Sequence, residues 1–176
     1  MAVLGLVAVI MSLFGLPWVS AGGRDVSFPD IREIYDDLPA GADGPAGGAT
    51  GDDYMEVYAG GLWVATLLFA ALAVLVATLL VPTSPVARVL VGCITFGVVG
   101  AIVMAADKKG TAGPRICGVF MAIVAGALHG FAVFALFDGP GPSPAYGVWL
   151  GFLGVAAIVV GSLMGTRTAP APPPTP

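Results

Sequence analysis

Residues 116–137 constrain this chain more than any other stretch. They form an apolar run of about 22 residues, and a helix of that length, rising 1.5 Å per residue, reaches across the roughly 30 Å hydrocarbon layer of a bilayer. The chain's only histidine, His129, lies within it. Gly118, Ala122, Gly126 and Gly130 recur at every fourth position, which gathers four small side chains on one helix face. Such a face lets a neighbouring helix come within backbone contact, and a solitary helix has no use for it. The run therefore predicts an all-α bundle embedded in a membrane.

Four further stretches repeat this chemistry. Residues 1–20 read as a first transmembrane helix closing in Pro17-Trp18, with the indole at headgroup level. A signal peptide is the rival reading of that stretch, since Val19-Ser20-Ala21 supplies small residues, but no Lys or Arg precedes the apolar run and retention is expected. Span two covers 61–81, with Thr66 and Thr78 bonding back to their own helix; span three covers 86–106, with Cys93, Gly97 and Ala101 on one face. Residues 147–165 form the last span, and Gly147, Gly151, Gly154 and Gly161 make a second seam along it. The expectation is about five transmembrane helices, four of them forming a core over 61–165. Charged residues make up 10% of the chain against about 25% in soluble proteins, which agrees.

The polar residues are gathered between the first two spans. Nine of the eleven acids fall in 21–60, so the net charge of −4 belongs to one acidic, Gly-rich loop. Ser27-Phe28-Pro29-Asp30 opens a short amphipathic helix over 28–38, with Ile31, Ile34, Tyr35 and Leu38 on its apolar side, which is expected to lie on the membrane surface. The glycine-rich run 41–51 reads as a flexible loop, and the Pro-rich end, 166–176, as a disordered tail. The seven Lys and Arg residues form no patch able to follow a phosphate backbone, so nucleic acid is not an expected partner. Counted over five spans, six of them fall on one side and Arg88 on the other, which places the amino terminus outside and the carboxyl terminus inside.

The stretch 1–20 ending in Leu16-Pro17-Trp18-Val19-Ser20, the acidic loop with Phe28-Pro29-Asp30-Ile31, the turn Leu79-Leu80-Val81-Pro82-Thr83 and the last span opening over 141–153 resemble small, uncharacterised polytopic membrane proteins of actinobacteria. That resemblance implies a cell-membrane location with the first loop held outside. It implies no activity and assigns no catalytic residue.

Few residues could carry chemistry. His129 in mid-bilayer reads as a proton or ligand site, or as an imidazole bonded to a backbone carbonyl between helices. Cys93, on antiparallel span three, is expected to face it at similar depth. Cys93 and Cys117 lie roughly 20 Å apart in depth and are expected to be free thiols. Asp52, Asp53 and Glu56 begin the helix leading into span two, where carboxylates could hold a divalent metal ion or complement the helix dipole. No cofactor motif is present, and no enzyme activity is expected. The reading is a structural or accessory membrane subunit that packs against itself or a partner membrane protein; the alternative is a small proton-coupled transporter or channel using His129.

Overall fold

The computed structural model describes residues 1–38, 49–79, 85–107, 112–137 and 143–164. The elements are α1 (Ala2–Phe14), β1 (Pro17–Ala21), β2 (Arg24–Ser27), α2 (Phe28–Asp36), α3 (Ala49–Val57), a π-helical segment (Tyr58–Leu62) kinked at Gly61, whose backbone is not helical, α4 (Trp63–Leu79), α5 (Pro85–Ala106), α6 (Ala112–Phe137), β3 (Ser143–Pro144) and α7 (Tyr146–Met164). The glycine-rich run over 41–48 and the tail 166–176 lie outside the described residues, while the end of that run, 49–51, opens α3.

Helices α1, α4, α6 and α7 form the bundle, with α6 against both α4 and α7 and α1 packed most extensively along α7. The bundle is built with its small residues inward. Ala2, Ala70, Ala73, Ala122, Ala125 and Ala132 are buried, while Leu4, Leu68, Phe120, Phe134, Leu153 and Leu163 are all more than half exposed. A fold held together by the hydrophobic effect in water hides its large apolar side chains, and contiguous apolar surface of this extent marks contact with lipid or protein. Three stretches are long and apolar enough to cross a membrane: Gly51–Thr78, Ala112–Phe137 and Tyr146–Met164.

The bundle carries a cap at the end where α1 stops, and here the all-α expectation is corrected. The stretch 1–20 is not one helix: α1 ends at Phe14, because Gly15 and Pro17 interrupt it, and the chain continues as β1. Gly22 and Gly23, with φ of 58° and 78°, form the two-residue turn that brings β2 back antiparallel on β1, with Ala21 opposite Arg24. β3 joins the other edge of β1, giving the order β2-β1-β3. Ser27 then starts α2, its backbone N–H donating to the Asp30 carboxylate at 2.9 Å. The apolar side of α2 is Phe28, Ile31 and Tyr35, turned into the cap; Ile34 is 44% exposed and does not share that side.

Span three is the other correction. α5 is helical over Pro85–Ala106, but Gly97 has φ +57° and the chain reverses there. A Cβ on Gly92 would strike the carbonyl oxygen of Gly100 and lie 2.7 Å from the Met104 side chain. In a straight helix residues 92 and 100 are about 12 Å apart along the axis, so the two halves of α5 must lie side by side. Each half, at about 15–18 Å, is too short to cross a bilayer. The Cys93, Gly97 and Ala101 face makes no helix seam: Cys93 and Gly97 are exposed, and a Cβ at Gly97 would meet nothing within 4 Å. The close approach belongs to Gly92 and Gly100 instead.

Candidate functional site

The last two turns of α6 bring His129 below the cap, about 12 Å from the helix end at Phe137 rather than at its middle. Its side chain is 2% exposed. Nε2 lies 3.3 Å from the carbonyl oxygen of Val148 in α7; a carbonyl only accepts, so this nitrogen carries the proton. Trp18 and Phe152 stand edge-on to the imidazole, each with its ring centre 4.9 Å away.

Trp18 is the residue whose place sequence reasoning missed. Expected at headgroup level, it is fully buried. Its indole N–H donates at 2.7 Å to the carbonyl of Ser12, one of the last carbonyls of α1 and so without a partner in its own helix. From there Trp18 packs on Phe28 at 4.8 Å and Tyr58 at 6.3 Å, tying β1, α2 and the π-helical segment together. The Tyr58 hydroxyl is 3.4 Å from Thr66 Oγ1, joining the π-helical segment to the first turn of α4, and Thr78 bonds back to Val74 at 2.6 Å as expected. Nearby, the Tyr54 hydroxyl donates at 3.1 Å to the carbonyl of Leu128, next to His129.

The seam of α7 makes room for this cluster. A Cβ on Gly151 would collide with His129 Nε2 and lie 2.8 Å from Ser12 Oγ. The same seam admits α1 along its length. Gly147 meets the Pro17 carbonyl, Gly154 would place a Cβ 2.7 Å from the Gly5 carbonyl oxygen, and Gly161 meets the backbone of Ala2. On α6, Gly118 faces the Ala73 carbonyl and Ser162, and Ala122 is fully buried. Gly126 sits against Val155, while Gly130 has only ordinary contact with Phe152 at 3.6 Å. The seams predicted for partner helices are therefore occupied within the chain.

The other expected sites are not assembled. Cys93 is exposed on α5, which packs on α6, so the pairing with His129 fails because it assumed a straight third span. Both thiols are free, as expected. Asp52 accepts a hydrogen bond from the Tyr35 hydroxyl at 3.0 Å, joining α3 to α2, while Asp53 and Glu56 are exposed. Among the described residues no group of three or more His, Cys, Asp or Glu side chains is placed to hold a metal ion. Of the three carboxylates only Asp52 lies in the first turn of α3, where the helix dipole favours an acid, and Glu56 lies near the opposite end of that helix.

The chain matches no protein-family model, no curated protein and no solved structure. Its geometry alone therefore bears on function. The enclosed donors and acceptors around His129 can hold β1, α1, α6 and α7 in one register.

Proposed function

We propose that the chain is a cell-membrane protein that crosses the bilayer four times, dips α5 into it as a re-entrant hairpin, and serves as a structural or accessory subunit; the actinobacterial resemblance bears on the location alone. Packing of α1 against α7 from Ala2–Gly161 to Pro17–Gly147 is the observation that carries this reading. Segment 2–17 runs antiparallel over the depth that α7 covers, so if α7 crosses, α1 and the start of β1 cross with it. Cleavage after Ala21 would remove this helix from the bundle, which favours its retention.

The reversal at Gly97 also removes a conflict in orientation. Over five straight spans, the charge count and an outward acidic loop exclude each other. With α5 turned back, Arg88, Lys108, Lys109, Arg115 and Arg167 fall on one side, five of the seven basic residues, against Arg24 and Arg32 on the other. The positive-inside rule then sets both ends of the described bundle in the cytoplasm and the cap and acidic loop outside.

The accessory role follows from how the polar groups are used. His129 is enclosed by Trp18, Phe152 and the Val148 carbonyl, in a cluster confined to the cap end of the bundle. That favours register-keeping over proton passage, the alternative role. Because the glycine seams are filled internally, a partner would meet the aliphatic outer faces or the cap. The test is purification of tagged full chain in mild detergent, with mass spectrometry of everything that co-migrates. A stoichiometric membrane partner or a defined homo-oligomer is expected. A lone monomer whose reconstituted proton flux disappears in His129→Ala would overturn the reading.

A further inference from the structure

A cleft of about 240 Å³ opens between α2, the end of α1 and the start of α4. That is below the roughly 300–1,000 Å³ of pockets for whole drug-sized ligands and suits a single headgroup. Its apolar walls are three aromatic rings. Phe14 stands edge-on to Trp63 with ring centres 5.5 Å apart, and Phe28 stands at 62° to the same indole at 6.2 Å. Its polar rim is Arg32, Glu33 and Asp36, with net charge −1. The Arg32 guanidinium lies 5.8 Å from the centre of the Trp63 ring, and its Nε is 3.5 Å from Asp36. The cleft therefore already satisfies one organic cation, its own, by a ring face and a carboxylate together.

We propose that this cleft binds an alkylammonium headgroup, which takes the Trp63 face and the Asp36 carboxylate in place of Arg32. Rings set at steep angles to one another beside carboxylates are the arrangement that recognises ammonium groups, since each ring face presents negative charge density to the cation. Arg32 is half exposed and tied to Asp36 only by an exposed ion pair, a weak hold that an incoming cation can displace. Phe14 ends α1 and Trp63 begins α4, so in the membrane reading the cleft lies at headgroup level; the recognition itself does not depend on that reading.

The test is titration of tetramethylammonium onto the purified full chain in a non-ionic maltoside, followed by ligand-observed NMR at constant ionic strength. Saturable binding is expected. Glu33→Gln combined with Asp36→Asn should weaken it by about 5-fold or more, and Arg32→Gln, which removes the resident cation, should tighten it by about 3-fold. These three side chains are exposed, so the variants fold; circular dichroism checks this. Absence of saturable binding in both wild type and Arg32→Gln, or an Arg32→Gln variant that binds more weakly, overturns the proposal. Native mass spectrometry separates the sources of the headgroup. Retention of phosphatidylethanolamine over phosphatidylglycerol, displaced by tetramethylammonium, identifies a lipid; tetramethylammonium binding with no such lipid preference identifies a free cation. Because these readouts use detergent-purified protein, they stand whether or not the four-crossing topology holds.

Discussion

The seam between α1 and α7 and the cap above it are two cores built on opposite rules. Along the seam the contacts are glycine against backbone: Gly5, Gly154 and Gly161 leave no room for a methyl group. In the cap they are ring against ring, with Trp18, Phe28 and Tyr58 fully or almost fully buried and Tyr35 hydrogen-bonded to Asp52. Lipid tails solvate a leucine as well as a protein interior does, so helices in a bilayer gain by close approach of small residues. In the cap, burying aromatic surface is the gain to be had, at roughly 25 cal/mol per Å². Both rules operate within 20 residues of sequence, from Gly5 to Trp18.

Substitutions that exchange the two rules should break the comparison most sharply. Gly154→Leu forces a branched side chain into the Gly5 carbonyl and the Val9 backbone, which cannot yield as a flexible side chain would. The expected destabilisation reaches or exceeds the upper end of roughly 1–3 kcal/mol for overpacking, because the obstacle is backbone. The readout is loss of monodisperse protein in mild detergent, and a normal yield would refute the seam. Trp18→Ala removes the cap's central ring and the bond to the Ser12 carbonyl, at about 3–5 kcal/mol. It should loosen cap and α1 together, seen as faster hydrogen exchange in both.

His129→Ala joins the two regions and should cost about 2 kcal/mol through lost packing against Trp18 and Phe152. A thermal unfolding shift without change in oligomeric state is the expected result. The exposed Ser27–Asp30 pair is worth less, about 1 kcal/mol or under. The Ser27 hydroxyl and then its backbone N–H hold the Asp30 carboxyl below its ordinary 3.8. A depressed carboxyl stabilises the fold fully above that value and loses its contribution as pH falls through its lowered value. Asp30→Asn should flatten that acid limb of a stability–pH curve by lowering stability at neutral pH, by about 1 kcal/mol or under, with little change below the lowered value. Gly130→Ala should be tolerated, neutral to stabilising by up to roughly 1 kcal/mol, because its Cβ would make only ordinary contact with Phe152 at 3.6 Å. Gly130 and Gly154 look alike in sequence, and their contrast shows which glycines the packing requires.

What was legible in the sequence follows the range of the physics. The long apolar helices α6 and α7, the Ser27 start of α2 and the inward glycines of α7 rest on local periodicity, and each stands where the sequence placed it. The fate of α5 was hidden because a helix folded back on itself can be built from the same apolar residues as a straight one. Its signal was Gly92, Gly97 and Gly100 within nine residues, spaced for a reversal and not for one seam. The central strand β1 was hidden at the end of an apolar run, with Gly15, Pro17 and the Gly22-Gly23 pair as its marks. Trp18 was misplaced because aromatic residues near helix ends favour the interface, yet in this chain a carbonyl left over by α1 draws the indole inward. The error about Cys93 followed directly from the straight span assumed for α5.

The reversal at Gly97 has one direct consequence for the whole chain, the side on which each end lies. Reporter fusions active on only one side of the membrane, placed separately at the amino and carboxyl ends of the full chain, read this without disturbing the bundle. Four crossings with a re-entrant α5 predict that both ends report the cytoplasm, with a tag in the acidic loop reporting the outside. Ends that report opposite sides would mean an odd number of crossings, with α5 crossing or α1 not crossing, and either contradicts the four-crossing topology.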